Sequence, residues 1–293
     1  MSATKRIVVF GGNGFLGSRI CRAAVARNWD VTSVSRSGKP HWDSIASSSS
    51  PPPWSHKVSW ERGDIFQPAQ WTSLLRNTDY VVHSLGILLE ADYKGVISGR
   101  ESPISGLAKA FRAPSSSSPN PLERVREGAK EPGVEPPSSP AQLTYEMMNR
   151  DSAILLAKVA AHEGVEAFGY ISAAGGAPVL PARYITTKRE AEAVVAREFP
   201  EMRGVFFRAP FMYDPSRKIT IPMAAMTMAG STFNRLTGGV LSGFLGAAGS
   251  KPLKADAVAD AVVEALADEK VKGPVEVLQL EELAGRAWRK TML

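Results

Sequence analysis

The chain has 293 residues, is 44% hydrophobic and 22% charged, and carries a net charge of +6. That length can bury a sizeable core, and the composition is that of an ordinary globular protein. Its Lys and Arg residues are spread out, with no basic run interleaved with aromatics, which excludes a nucleic-acid-binding signature. A single cysteine, Cys21, excludes an intrachain disulfide, and four scattered histidines provide no metal-ligand spacing.

Arg6–Gly17, RIVVFGGNGFLG, reads as a short buried strand (Ile7–Phe10), a glycine turn, and a helix with apolar positions at Phe15, Leu16, Ile20 and Ala24. The glycines fit two frames, Gly12-x-Gly14-x-x-Gly17 and Gly11-x-x-Gly14-x-x-Gly17. The first glycine permits a tight turn, Gly14 lets a pyrophosphate approach the backbone, and Gly17 lets helix and strand pack closely. The helix N-terminus adds unpaired N–H groups and the positive end of its dipole. The expected ligand is a dinucleotide, held by Gly11, Gly12, Asn13, Gly14, Phe15, Leu16 and Gly17. A strand beginning at residue six leaves no room for a cleavable presequence, which does not exclude import by an internal signal.

Asp30–Arg36 is the expected second strand, about twenty residues beyond the glycine turn, as a βαβ unit requires. An NAD site would end this strand in an acidic residue; here Arg36 stands there, followed by Ser37 and Lys39. A guanidinium and a hydroxyl suit a 2′-phosphate, so NADP(H) is expected over NAD(H). Ser47–Pro53 reads as a low-complexity loop. Val58–Ile65 is the third expected strand, ending at Asp64 and Ile65, where a carboxylate can accept from an adenine amino group. Asp79–Gly86 is the fourth; Ser84, Leu85 and Gly86 would lie against a cofactor ribose. His83, within that strand, reads as a packed core residue before a catalytic base.

Residues 91–143 are rich in Pro and Ser and read as a disordered insertion, either ordering on a partner or acting as a lid. A long helix is expected over Tyr145–Ala161, a fifth strand over Phe168–Ser172, and a further helix from Tyr184 to Phe199. Tyr184 and Lys188 are four apart and share one helical face. An ammonium beside a phenol favours the phenolate, and such a tyrosine can exchange a proton while hydride moves at a nicotinamide. Ser172 is the hydroxyl available to orient the substrate, yet Ala173 and Ala174 follow it. If the geometry requires the hydroxyl two residues later, the site lacks it.

Val205–Pro210 is the sixth expected strand and places Arg208 near the nicotinamide end. Residues 219–250 carry only Arg235 as a charge and read as a substrate-side subdomain or a surface packed on a partner or membrane. Lys254–Asp268 is an amphipathic helix and Val275–Leu278 a last strand. The expected fold is α/β, a doubly wound parallel (Rossmann) sheet with a small C-terminal substrate or partner subdomain. Residues 1–90, 144–208 and 252–272 form the NAD(P)-binding part, 91–143 the insertion, and 209–251 with 273–293 the subdomain.

The segments GGNGFLGSRIC, SVSRSGKP, VVHSLGILLE, YEMMNRDSAILLA, YITTKREAE and RAPFMYD resemble the extended and atypical short-chain dehydrogenase/reductases. They are most similar to the mitochondrial NAD(P)-binding group associated with the coenzyme Q biosynthetic complex, which is related to an accessory subunit of respiratory complex I. The resemblance covers all but residues 91–143. It implies a peripheral protein on the matrix face of the mitochondrial inner membrane, bound to proteins of the ubiquinone-synthesising complex. It implies dinucleotide contacts from Gly11, Gly14, Gly17, Arg36, Asp64 and Lys188, and a general acid at Tyr184. Ala209, between Arg208 and Pro210, departs from the pattern of many relatives, as do the alanines after Ser172. Two readings stand: an NADP(H)-dependent oxidoreductase acting on a hydrophobic carbonyl or quinone-pathway intermediate, and a structural or regulatory subunit with a bound dinucleotide.

Overall fold

The computed structural model describes residues 4–42, 50–86, 144–175, 182–214 and 251–292. The Pro/Ser-rich insertion at 91–143 and the charge-poor run at 219–250 lie outside the described residues, as do positions 43–49 of the Ser/Pro loop.

Along the chain run β1 (Arg6–Phe10), α1 (Gly17–Ala26), β2 (Asp30–Ser35), β3 (Val58–Arg62), β4 (Tyr80–His83), α2 (Ser152–His162) and β5 (Ala167–Ala173). There follow α3 (Arg183–Glu198), β6 (Arg203–Ala209), β7 (Met212–Tyr213), β8 (Leu253–Lys254), α4 (Ala255–Ala267), β9 (Gly273–Val275) and α5 (Val277–Thr291). Seven strands form one parallel sheet in the order β3-β2-β1-β4-β5-β6-β9, while β7 and β8 pair separately.

Alternation along the strands fills both faces, as a doubly covered parallel sheet demands. Ile7, Val9, Ile171 and Phe207 pack with Ile20, Val262, Leu280 and Leu283 on the side of α1, α4 and α5. Val8, Phe10, Phe168 and Phe206 pack with Leu156, Ala157, Ala191 and Val195 on the side of α2 and α3.

Several elements differ from their sequence expectation. The β3–β4 crossover contains only 3₁₀ turns, at Pro68–Gln70 and Thr72–Leu75. Trp71 covers that part of the sheet instead, fully buried and edge-on to Phe10 at 4.9 Å, with its indole N–H donated to the Asp64 carbonyl. The long helix expected from Tyr145 begins as a π-helical turn, Glu146–Asp151, before α2 proper. The wider turn presents the Asn149 carbonyl to the Tyr170 hydroxyl at 2.5 Å.

The last strand is Gly273–Val275, and Val277 already belongs to α5. Residues 273–292 are therefore not part of a separate subdomain: β9 extends the main sheet beside β6, and Val275, Leu280 and Leu283 are fully buried in the shared core.

Candidate functional site

The strand order reverses at β1, which has β2 on one side and β4 on the other. At such a switch point the loops leaving the carboxyl ends of the strands diverge and open a crevice for a ligand. The glycine loop after β1 lies there. Gly11 has φ +84°, a left-handed conformation that suits glycine, and its N–H is donated to the Val34 carbonyl of β2. A Cβ on Gly12 would lie 2.4 Å from Ser33 Oγ and 2.9 Å from Cys21 Sγ, and one on Gly17 would lie 2.1 Å from the Gly11 carbonyl oxygen. Gly14 is different: a Cβ there meets only the Gly11 carbonyl oxygen, at 3.1 Å, so its outer side is open. The amides of Asn13 and Leu16 have no hydrogen-bond acceptor among the described residues. An open glycine beside unspent amides at a helix N-terminus fits a diphosphate.

Next to this loop is the turn after β2. Asn13 Nδ2 donates to Ser37 Oγ at 2.7 Å, so the two loops touch, and Arg36 projects from the same turn into solvent. Arg36 lies one residue beyond the strand, which ends at Ser35. Asp64, past β3, accepts the Phe66 N–H on one carboxylate oxygen at 3.0 Å, and Ile65 is buried. The Ser84 N–H is donated to the Phe10 carbonyl, and Leu85 approaches Gly11, so the β4 loop forms the opposite wall.

Lys188 joins the β4 loop to β5. Its ammonium is buried and donates to the Ile171 carbonyl at 3.0 Å, with the rings of Tyr170 and Tyr184 at 5.2 and 5.7 Å. A Cβ on Gly86 would sit 3.6 Å from this nitrogen and 3.2 Å from Asn149 Oδ1, so the glycine lets the β4 loop reach both. Burial, with the Arg189 cation nearby, holds the Lys188 pKa down to about 8.

Tyr184 is half-buried in the first turn of α3, edge-on to Tyr145 at 5.9 Å. That turn is anchored by Arg183, whose two N–H groups grip the Glu146 carboxylate at 3.0 and 2.5 Å, and the Arg150–Glu190 pair holds α3 two turns further on. His83 is fully buried and bonded through Nε2 to Ser152 Oγ at 2.8 Å; burial, then the Lys188 cation, lowers its pKa to about 3. It is a neutral core residue.

Two of the residues named from sequence point elsewhere. Ser172 Oγ donates to Glu192 Oε1 at 2.5 Å and accepts from Arg189 at 3.0 Å. Arg208 spends Nε and Nη2 on Glu192 and Nη1 on Glu276. Both side chains belong to a largely buried ionic cluster at the ends of β5 and β6. Arg189 completes it by donating to the Ala173 carbonyl at 2.7 Å, over the backbone where a second hydroxyl would be needed.

Sequence reasoning missed Glu192, Arg189, Asn149 and Tyr170. The first two lie one and a half turns of α3 or less beyond Lys188 and were visible as a charged helix face. Asn149 had no signal beyond its place in an unusually polar first turn. Among the described residues no cluster of His, Cys, Asp or Glu could hold a metal, and no helix is long and apolar enough to cross a membrane.

Residues 7–91 match the NAD dependent epimerase/dehydratase family. The chain is 39% identical over 231 residues to MIOREX complex component 2 of Saccharomyces cerevisiae, a match covering 74% of this chain and 76% of that protein. Among solved structures it resembles the Bordetella bronchiseptica enzyme WbmH in complex with NAD+, with a TM-score of 0.52 and 16% identity over 99% of this chain and 83% of that one. It also resembles Helicobacter pylori ADP-L-glycero-D-manno-heptose-6-epimerase, with a TM-score of 0.52 and 14% identity over 94% and 76%. These two likenesses concern the fold. The yeast match, covering most of both chains, and the match across the glycine loop identify this chain as a member of the NAD dependent epimerase/dehydratase family, of short-chain dehydrogenase/reductase type.

Proposed function

We propose that this chain is a dinucleotide-binding subunit associated with mitochondrial ubiquinone synthesis, in which bound NADP(H) stabilises the fold and does not turn over. The observation that carries this reading is the Ser172 hydroxyl. It is held by Glu192 and Arg189, and alanines follow it, so no serine or threonine of β5 is free to orient a carbonyl beside Tyr184. Gly11–Gly17 would hold the diphosphate, Asp64 and Ile65 the adenine side, and Ser84, Leu85, Gly86 and Lys188 the ribose next to the nicotinamide. Arg36 and Ser37 favour a 2′-phosphate and so NADP(H). The motif resemblance supports a place on the matrix face of the inner membrane with the coenzyme Q complex, and the yeast relative is itself named as a component of a complex.

A second reading is favoured by one observation: the Lys188 ammonium is buried 5.7 Å from the Tyr184 ring, so half of a proton-transfer pair is assembled. In that reading the dinucleotide supplies hydride. Tyr184 holds the proton at its hydroxyl, Lys188 favours the phenolate, and the substrate is a hydrophobic carbonyl or quinone-pathway intermediate.

Tyr184→Phe separates the two. The subunit reading expects ubiquinone content and NADPH-induced thermal protection both unchanged in cells and in purified protein. Loss of ubiquinone with the protection retained overturns it in favour of the enzyme. Purified protein that neither carries an adenine dinucleotide nor is stabilised by one overturns both.

A further inference from the structure

The C-terminal helix α5 has two apolar faces, and the fold uses one. Leu280, Leu283 and Ala287 are buried in the core. Leu278, Trp288 and Met292 are 75%, 60% and 67% exposed, the large hydrophobic side chains most open to solvent among the described residues. Positions 278, 281, 285, 288 and 292 follow one another in steps of three and four, so they form one stripe about 21 Å long on the side away from the core. A shallow groove lined by Gln279, Glu281, Glu282, Gly285, Arg286 and Arg289 lies beside the stripe and includes none of its three exposed hydrophobic side chains.

Charge along this face is antisymmetric. Glu281 and Glu282 lie along its first half and Arg289 along its second, with Gly285 midway, while Lys290 turns to the core side of the helix. Glu281 is paired with Lys251 and Lys290 with Glu264, whereas Glu282 and Arg289 enter no ion pair among the described residues. Acid first and base last also suits the helix dipole. The dipole, however, gives no reason to expose a leucine, a tryptophan and a methionine in register.

We propose that this face pairs with the same face of a second copy of the chain, the two α5 helices running antiparallel about a two-fold axis at Gly285. A two-fold there sets each residue against the one equally far on the other side of the axis. Leu278 then meets the partner's Met292, the Glu281–Glu282 pair meets the partner's Trp288 and the partner's Arg289, and the side-chain-free Gly285 lets the backbones approach. A parallel pairing would set Glu282 on its own copy and Arg289 on its own copy, so charge selects the antiparallel arrangement. An anionic lipid surface fits less well, because the two glutamates occupy half of the stripe. A single pair of short helices lies below the roughly 1,200 Å² of a standard interface, so the association is weak, on the order of micromolar.

The test is sedimentation of the full chain from about 1 to about 200 µM, a span bracketing that affinity. A concentration-dependent dimer is expected. Glu281→Arg or Arg289→Glu alone should weaken it by about tenfold or more, and the two together should restore it to within about threefold, because positions 281 and 289 are the pair that the axis sets opposite each other and the swap rebuilds it. In a Leu278→Cys, Met292→Cys variant, disulfides should join position 278 of one copy to position 292 of the other. The proposal is overturned by a monomer across the range, by single reversals without effect, by a swap that fails to rescue, or by efficient dimer cross-linking in the Leu278→Cys variant alone. A monomer that binds anionic vesicles through this face overturns it equally.

Discussion

Asn13 Nδ2 donates to Ser37 Oγ at 2.7 Å, fastening the glycine loop to the turn that carries Arg36. The two loops are therefore positioned as one unit, so cofactor choice at Arg36 is read against a fixed diphosphate site. NADPH should bind more tightly than NADH, and Arg36→Asp should reverse the order by removing a charge-assisted partner and adding a repulsive one. Asn13→Ala should weaken both cofactors together, by about tenfold or less, since it removes one hydrogen bond of positioning. Titration calorimetry with each nucleotide checks both.

Glycine substitutions should separate by place. Gly17→Ala puts a methyl 2.1 Å from the Gly11 carbonyl oxygen, so α1 must move and nucleotide binding should be lost. Gly164→Ala meets nothing within 4 Å and is opposed only by φ +75°, so it should cost about 1 kcal/mol with binding intact. Denaturant melts and a nucleotide thermal shift distinguish them.

His83 makes stability depend on acidity. Folded, it resists protonation until about pH 3, whereas the unfolded chain takes a proton near 6.5. Below 6.5 the unfolded state therefore binds more protons. The His83 contribution is fully present above that pH and is lost progressively towards pH 3, by up to about 1.4 kcal/mol per pH unit. Wild-type stability should fall more steeply across this window than that of His83→Gln, as followed by urea unfolding at successive pH values.

Glu192 and Ser172 predict unequal costs. Glu192→Ala leaves Arg208 and Arg189 without their shared carboxylate and should destabilise by about 3 kcal/mol or more. Ser172→Ala removes one hydroxyl from the cluster and should cost about 1 kcal/mol. Equal losses, measured by chemical denaturation, would be inconsistent with Glu192 as the hub.

What could be read from the chain itself follows distance along it. The β1–loop–α1 unit and the Tyr184–Lys188 pair are set by neighbours a few residues apart, so period and glycine spacing suffice. Arg208 and Glu276 meet across 68 positions, and Ser172 and Glu192 across 20. No local pattern announces such partners, which is why Ser172 and Arg208 were expected in the crevice and lie in a side network. The π-helical turn was illegible for a related reason: its Asn149 carbonyl accepts from the Tyr170 hydroxyl, 21 positions away on β5. The last strand, expected over Val275–Leu278, and the placing of residues 273–293 in a subdomain differ from the structure because burial against β6 and α4, and not propensity, decides where residues 273–292 belong.

Arg19 lies in the first turn of α1, its guanidinium stacked on Phe15 and joined to Asp214 and Asp256. Those two acids stand on either side of the stretch from 215 to 250, one just before it and one shortly after. A single side chain thus ties the mouth of the nucleotide crevice to both moorings of that stretch. Anything that steadies the front of α1 steadies them as well, and the vacated protein should loosen at both places in one cooperative step.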